Sequence, residues 1–177
     1  SLDATALPDS VPIPAPTVLP WWDFATMLER VSSMIDASAR RGIEAALERH
    51  RGWQEMSGEV LCHGDLHPGN VLMTSTGPVL GDWDLLCWAP PGWDHAMMLT
   101  WAGRWGGDAG AYPALAAGYG ASLVDDRPAR AFAELRLVAA TLLRLRAAMV
   151  DPTALPEAER RLRFWRGDTD APPWTAQ

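Results

Sequence analysis

Two short polar runs, each enclosed by apolar residues, constrain how the middle of this chain can fold. The first run reads HGDLHPGN over residues 63–70, and the second reads GDWD over residues 81–84. Short strands are predicted on either side of them, at residues 59–62, 71–73 and 79–81. The polar runs then lie on the loops between strands, where a rigid scaffold usually presents its chemically active residues.

On both sides of this segment, apolar residues recur at helical spacing. Helices are predicted over residues 24–35, 38–50, 93–105, 112–123, 129–150 and 156–165. The fold class that follows is mainly α with a short β-hairpin, an α+β domain over residues 23–167. The prolines among residues 1–22 predict an extended Pro-rich arm, and residues 168–177 are predicted to form a flexible tail.

Composition excludes several classes of protein. The 177 residues suffice for one core, and the formal net charge of −7 argues against a nucleic-acid surface. No apolar run approaches the ~18 residues of a membrane span, and the chain does not start like a signal peptide. Because Cys62 and Cys87 are too few for a disulfide framework, we expect both to be reduced and the protein to be cytoplasmic.

The acids and the amide of the two runs are spaced as in phosphoryl-transfer centres. Asp65 is followed five residues later by Asn70, and Asp82 comes twelve residues after that. One Asp can orient an acceptor hydroxyl, while the Asn and the second Asp hold the Mg²⁺ that bridges nucleotide phosphates. Since the chain contains no lysine, it cannot itself supply a lysine contact to those phosphates.

At these residues the chain resembles the aminoglycoside phosphotransferase family, whose members are relatives of the protein kinases. HGDLHPGN is in register with the kinase pattern H-R-D-x-x-x-x-N, and GDWD resembles the metal-binding segment that corresponds to kinase D-F-G. The run PPGWD at residues 90–94 resembles a later family segment in which an Asp opens a helix. The resemblance implies the C-terminal catalytic lobe of the protein-kinase-like fold over residues 23–167, with the N-terminal lobe absent.

The resemblance also implies a reaction and its cofactors. The chain would be the catalytic lobe of a kinase that transfers the γ-phosphoryl group of ATP or GTP to the hydroxyl of a small molecule, with Mg²⁺. Asp65 would be the catalytic base, and His67 would stabilise the transferring group at a position where protein kinases often have a lysine. Asn70 and Asp82 would bind Mg²⁺ and, through it, the nucleotide. Ordinary roles in turns and caps are the alternative for each residue.

Three further residues are expected to support the site. The resemblance implies that His63 packs beneath the catalytic loop and hydrogen-bonds to backbone. Asp94 is either the N-cap of its helix or a partner of the loop amides. Asp84 is either an acid close behind the metal ligands or a solvated side chain.

Two alternatives to this kinase hypothesis stay open. The family's N-terminal lobe supplies a loop over the phosphates and a lysine, and no such elements are found before His63. A non-catalytic binding or interaction module of the same fold is therefore the main alternative, and it predicts an apolar lobe-docking surface at which the chain self-associates or binds a partner chain. The other alternative is a zinc site, whose soft donors would be Cys62, His63, His67 and Cys87.

The sequence leaves the acceptor open. Acceptors of the family include aminoglycosides, other antibiotics, choline and other metabolites. Asp125, Asp126 and Glu134 are candidates for contacting a cationic acceptor, although solvated acids at helix ends have the same pattern. We expect a small molecule with a hydroxyl group as the partner, and neither a nucleic acid nor a membrane.

Overall fold

The computed structural model describes residues 12–56 and 60–175. The α-helices within them are α1 Phe24–Arg30, α2 Ala37–Arg49, α3 Gly92–Leu99, α4 Trp101–Trp105, α5 Ala111–Tyr119, α6 Arg127–Ala148 and α7 Leu155–Arg166. The strands are β1 Val60–Cys62, β2 Val71–Thr74, β3 Gly77–Leu80 and β4 Cys87–Ala89. Helices predominate and the strands form two small antiparallel pairs, which confirms the predicted α+β class.

Helix α6 is the centre of the helical core. Asp126 caps its first turn by accepting a hydrogen bond from the Ala129 amide at 2.8 Å, and Pro128 lies where the helix needs no backbone donor. Its buried face includes Phe132, Leu135, Val138, Leu142 and Leu145. Helices α1, α2, α3 and α7 pack against α6. Among the described residues, no helix, α6 included, combines the length and the apolar character needed to cross a membrane.

Strands β1 and β4 pair at the edge of this core, with Cys62 directly opposite Cys87. Both cysteines are free and fully buried. Burial raises the pKa of both thiols, that of Cys87 to about 12. Strand β4 is absent from the sequence-based prediction, because its three residues, CWA, are too few to show a period.

Strands β2 and β3 form a separate hairpin, with Val71 opposite Leu80 and Thr74 opposite Gly77. All four residues of β2 are exposed, and Met73 is 79% exposed. Leu72 and, on β3, Val79 are also exposed. The hairpin thus presents a group of large apolar side chains to solvent, a feature that often marks an interaction surface.

The structure corrects the predicted extended arm. Residues 16–22 form two short 3-10 helices, Pro16–Val18 and Pro20–Trp22. Trp22 is 5% exposed, and its ring lies 4.4 Å from that of Trp93 and 5.2 Å from that of Trp53, measured between centroids. Burial of this indole outweighs the loss of chain entropy, which the proline content alone does not indicate. Residues 1–11 of the predicted arm lie outside the described part of the chain.

The predicted flexible tail is also wrong where the structure describes it. Trp174 is 2% exposed, and its backbone amide donates to the carbonyl oxygen of Arg104 at 2.6 Å. The guanidinium of Arg161 lies 5.2 Å from the Trp174 ring centroid and donates to the carbonyl oxygen of Thr175 at 3.0 Å. The end of the described tail is therefore packed against α4 and α7.

The helix predicted over residues 93–105 is two helices, α3 and α4, which meet at Thr100. The Thr100 hydroxyl donates to the carbonyl oxygen of Met97 at 3.1 Å and accepts from Trp105 Nε1 at 3.2 Å. A hydroxyl that hydrogen-bonds to its own helix favours such a break. As a consequence, α4 brings two tryptophans to the side of the molecule that carries the polar runs.

Candidate active site

The loop that carries Asp65 is held from beneath by a buried carboxylate. Asp94, in the first turn of α3 and 5% exposed, accepts hydrogen bonds from the backbone amides of His63 and Gly64, each at 2.9 Å. The two amides bind different carboxylate oxygens, so the orientation of the loop relative to α3 is defined. Of the two roles that the sequence leaves open for Asp94, the structure shows the contact with the loop amides.

Gly64 allows the loop to pass close to the segment after β3. Its φ of +89° lies in the left-handed region. A Cβ at this position would lie 2.0 Å from the carbonyl oxygen of Leu85. The position that holds an arginine in the kinase pattern H-R-D is therefore restricted to glycine here.

His63 and Asn70 join the two polar runs. The His63 ring accepts from the Asp65 amide at Nδ1 (3.2 Å) and donates from Nε2 to the carbonyl oxygen of Gly81 (2.8 Å), a pairing that fits the Nε2–H tautomer. Asn70 Nδ2 donates to the backbone carbonyl oxygen of Asp65 at 2.9 Å, and the backbone carbonyl oxygen of Asn70 accepts from the Gly81 amide at 2.8 Å. These bonds hold Asp65 and Asp82, which lie on different loops, in one assembly.

The Asp65 carboxylate lies between two basic side chains. His67 Nε2 is 3.6 Å from its Oδ2, and Arg136 Nη1 is 3.5 Å from its Oδ1. Burial alone would raise the pKa of Asp65, but the close contact with His67 and the charge of Arg136 outweigh it and hold this pKa below its ordinary 3.8. Asp65 is therefore ionised at neutral pH and able to accept a hydrogen bond from a hydroxyl.

Arg136, on α6, is the site residue that the sequence analysis does not identify. Its guanidinium donates to the Gly64 carbonyl oxygen and lies 5.3 Å from the ring centroid of Trp93. Because Arg136 follows Asp65 by 71 positions, no local motif includes it. The sequence does show a charged residue within the apolar face of a long helix, and a largely buried charge requires a partner. That feature could have marked Arg136 as a candidate site residue.

His67 contacts both the loop and an aromatic wall. Its Nδ1 accepts from the Gly69 amide at 3.1 Å at the start of the 3-10 helix Pro68–Asn70, which leaves Nε2 near Asp65. Its ring stacks on Trp101, with centroids 5.9 Å apart and planes inclined by 21°. The imidazole is thus held from two sides.

The second polar run contributes two exposed carboxylates, Asp82 and Asp84. Asp82 has a φ of 59°, in the left-handed region that Asp tolerates better than most residues. The donor set suits Mg²⁺, because Asp82 offers carboxylate oxygens and Asn70 keeps its side-chain oxygen after its Nδ2 is used. Nonglycine residues in this conformation concentrate at functional sites.

One groove of about 840 Å³ contains most of these groups, and we call it the Asp65 groove. Its polar lining includes Asp65, His67, Asp82, Asp84 and Arg136. Its remaining walls include Trp21, Trp22, Leu85, Met97, Trp101, Trp105, Ala139, Ala140, Leu143, Arg144, Ala147 and Arg161. His63, Asn70 and Asp94 are not among the lining residues, but their hydrogen bonds position the loops that line the groove. Its volume is that of a small-molecule site.

The zinc alternative receives no support from the structure. Residues 12–56 and 60–175 contain no group of three or more His, Cys, Asp or Glu side chains arranged to hold a metal ion. Both ring nitrogens of His63 hydrogen-bond to backbone atoms. The thiol of Cys62 is buried against the carbonyl oxygen of Pro90, to which it donates at 3.6 Å.

The three acids considered for a cationic acceptor lie outside the Asp65 groove. Asp125 pairs with an arginine of α6, and Asp126 caps that helix. Glu134 pairs with Arg49 and His50 at the end of α2. In this structure each of the three carboxylates has a partner within the protein.

Comparison with known proteins identifies a family pattern. Residues 57–133 match the model of a family described as the phosphotransferase enzyme family, and this span includes both polar runs, all four strands and Asp94. No curated protein and no solved structure matches the chain significantly. Residues 57–133 of this chain therefore carry the sequence pattern of the phosphotransferase enzyme family, as the motifs HGDLHPGN and GDWD predict.

Proposed function

We propose that this chain is the C-terminal catalytic lobe, over residues 23–167, of a protein-kinase-like phosphotransferase that phosphorylates the hydroxyl of a small molecule. The family match supports the general class of reaction. The observation that carries the proposal is the convergence of Asp65 and Asp82, from two separate loops, on one small-molecule groove. Since ATP and GTP are the implied donors, the proposal includes a cytoplasmic location.

Asp65 is the group that receives the acceptor. Its carboxylate is ionised, so it accepts a hydrogen bond from the acceptor hydroxyl and directs the oxygen lone pair toward the γ-phosphorus. The new P–O bond forms as the bond to the departing nucleoside diphosphate breaks. The hydroxyl proton passes through Asp65 to solvent. A low pKa suits orientation better than early proton removal, which is consistent with a loose transition state.

Asn70 and Asp82 are the proposed Mg²⁺ ligands. Bound there, the cation would neutralise charge on the nucleotide phosphates. The contribution of the chain is positioning, because Asn70 is tied to Asp65 and Asp82 follows a residue that His63 binds. Asp84, exposed on the same groove, is proposed as an additional acid beside these ligands.

His67 is proposed as the donor to the transferring phosphoryl group. Its Nε2 lies near the Asp65 carboxylate, and its ring is fixed by Trp101 and by the Gly69 amide. A preorganised N–H at this place stabilises charge that develops on the phosphoryl oxygens. The side chain replaces, in part, the lysine that this chain lacks.

A lobe-docking surface completes the proposal. The resemblance implies that a phosphate-binding loop and a lysine come from an N-terminal lobe, whether in another part of the protein or in a partner chain. Leu72 and Val79, which are exposed and directly opposite each other in the hairpin, lie on the strands that join the two polar runs. We place the docking surface there because covering these side chains would remove apolar area from water beside the phosphate site.

The test measures Mg²⁺-dependent nucleotide binding by calorimetry and phosphoryl transfer or hydrolysis with labelled ATP and GTP. Asp82→Asn should abolish the Mg²⁺-dependent part of binding, and Asp65→Asn should lower turnover by about 100-fold or more while nucleotide still binds. Asp125→Asn, an exposed acid away from the groove, is the matched control and should change neither quantity. If wild-type protein binds no Mg-nucleotide at millimolar concentration, even with a complementing N-terminal lobe, the kinase proposal is wrong.

The second candidate is a non-catalytic interaction module. The exposed apolar hairpin and the absence of lysine favour it. It predicts self-association or partner binding that is lost in Leu72→Ser and Met73→Ser, together with no response to nucleotide. Light scattering combined with the turnover assay separates the two candidates, because a strictly monomeric chain with measurable turnover contradicts the interaction module.

A further inference from the structure

We propose that the Asp65 groove contains an acceptor subsite that selects a hydroxylated aromatic molecule and rejects polycationic aminoglycosides. We call the subsite the acceptor wall and define it by Met97, Trp101, Trp105, Ala140, Leu143 and Ala147. The inference rests on the proposed function, because it names the class of molecule whose hydroxyl reaches Asp65.

The charges around the groove are unsuitable for a polycation. Among the described lining residues, the acids are Asp65, Asp82 and Asp84, and all three lie on the two polar runs. The rest of the lining contains no carboxylate, and its arginine Arg161 is already paired with Glu157 at 2.9 Å. Several ammonium groups bound at the acceptor wall would lose water without gaining carboxylate partners, which is unfavourable for binding.

The aromatic part of the wall is preformed. Trp101 stacks on His67, and its indole edge is enclosed by Gly107, where a Cβ would lie 2.0 Å from Trp101 Nε1. Trp105 donates its Nε1 to Thr100 Oγ1 at 3.2 Å, so its polar atom is already satisfied. The guanidinium of Arg161 also lies 5.2 Å from the Trp105 ring centroid. Both rings are therefore held by neighbours, and their orientation does not have to be set when a ligand binds.

Helix α6 supplies the opposite side of the wall. Leu143 is 39% exposed although it lines a groove, so a large apolar side chain remains in water there. Ala140 and Ala147, which lie three and four residues away on the same helical face, leave room above the backbone. A flat, apolar ligand would fill this space and release the water that covers Leu143.

The wall and the phosphoryl-transfer groups are adjacent. His67 is the link, because its ring stacks on Trp101 while its Nε2 lies 3.6 Å from the Asp65 carboxylate. A hydroxyl carried on a short arm of an aromatic ring bound at Trp101 is therefore directed toward Asp65. A neutral aromatic alcohol meets all of these requirements, and a polyamine meets none of those set by the wall.

The experiment compares two probes by calorimetry and saturation-transfer NMR: naphthaleneethanol, a neutral aromatic alcohol, and kanamycin, a polycationic aminoglycoside. Wild-type protein should bind the alcohol and not kanamycin. Trp101→Ala and Leu143→Glu should each weaken alcohol binding by about tenfold or more. Leu155→Glu, a similarly exposed leucine outside the groove, is the matched control and should leave binding unchanged. Circular dichroism melts establish that each variant is folded.

The possible results separate this inference from the proposed function. Kanamycin binding as tightly as the alcohol, or alcohol binding that Trp101→Ala and Leu143→Glu leave unchanged, overturns the inference. Binding of Mg–ADP without binding of the alcohol overturns it as well, while the kinase proposal stands. Binding of the alcohol at the acceptor wall without any Mg-nucleotide binding, even with a complementing N-terminal lobe, supports the subsite and overturns the kinase proposal instead.

Discussion

Replacing Arg136 by methionine should destabilise the protein and loosen the loop that carries Asp65. The guanidinium donates to the Gly64 carbonyl oxygen, lies 3.5 Å from the Asp65 carboxylate and lies 5.3 Å from the Trp93 ring centroid. The Arg136 side chain is only 11% exposed, so these contacts are largely shielded from water. Methionine keeps an unbranched apolar stem and removes the charge and the donors.

The magnitude can be estimated contact by contact. The hydrogen bond from a charged donor to the Gly64 carbonyl contributes about 1.5–3 kcal/mol. The cation–π contact with Trp93 adds about 0.5–1 kcal/mol. The ion pair adds less than about 1 kcal/mol, because the Asp65 side chain is 32% exposed and solvent screens it. We therefore expect Arg136→Met to lower the free energy of unfolding by about 2–5 kcal/mol, a large part of the about 5–15 kcal/mol that stabilises a typical domain.

The loss should depend on pH in a defined direction. The folded-state pKa of Asp65 lies below 3.8, so its ionised form stabilises the fold above that pH, and the contribution disappears as pH falls through the folded-state pKa. Arg136 is one cause of the depressed pKa. The stability difference between wild type and Arg136→Met should therefore be largest near neutral pH and should shrink in acid.

Urea unfolding followed by tryptophan fluorescence measures both effects. Arg146→Met, an exposed position on the same helix, is the matched control and should change stability by no more than about 0.5 kcal/mol. A loss below about 0.5 kcal/mol for Arg136→Met, or a loss equal to that of the control, would show that this guanidinium does not hold the loop.

Three further outcomes are expected. Gly64→Ala should lower the free energy of unfolding by more than about 2 kcal/mol, because φ is +89° and the new Cβ would lie 2.0 Å from a backbone oxygen. Gly118→Ala, in open space on α5, should be neutral or stabilising by up to about 1 kcal/mol. Equal effects of the two substitutions in urea unfolding would contradict this expectation. Trp174→Ala should cost about 3–5 kcal/mol and speed proteolysis of the tail, and an unchanged Tm would rule out its packing role. Burial lowers the pKa of His95 below 6.5, so the free energy of unfolding should fall as pH drops below 6.5, by at most about 1.4 kcal/mol per pH unit. His95→Gln should reduce this pH dependence, which thermal melts at several pH values measure.

The sequence predicts the parts of the structure that depend on neighbouring residues. Helix α6 follows from a long periodic face, and Asp126 and Pro128 define its start. The loop placement of the two polar runs follows from the alternation of apolar and turn-forming residues. These features are local, so a single sequence contains enough information to predict them.

The features that depend on contacts between residues far apart in the sequence are harder to predict. Arg136 reaches the loop only because α6 packs beneath it, and no motif indicates which arginine of that helix will do so. The arm and the tail are predicted to be extended or flexible because proline and polar content dominate there. Trp22 and Trp174 reverse that expectation by burying indole rings on partners far away in the sequence.

The attachment of the loop to Asp94 has a consequence for how acceptor choice can change. Asp94 is buried in the first turn of α3, so the backbone of the loop that carries Asp65 is held from outside the groove. Leu143 lies on a partly exposed face of α6 and supports none of those hydrogen bonds, whereas Trp101 packs on the ring of His67. Substitutions around Leu143 can therefore exchange one acceptor for another while the reactive groups keep their geometry, which makes this face of α6 the part to randomise in an engineering library.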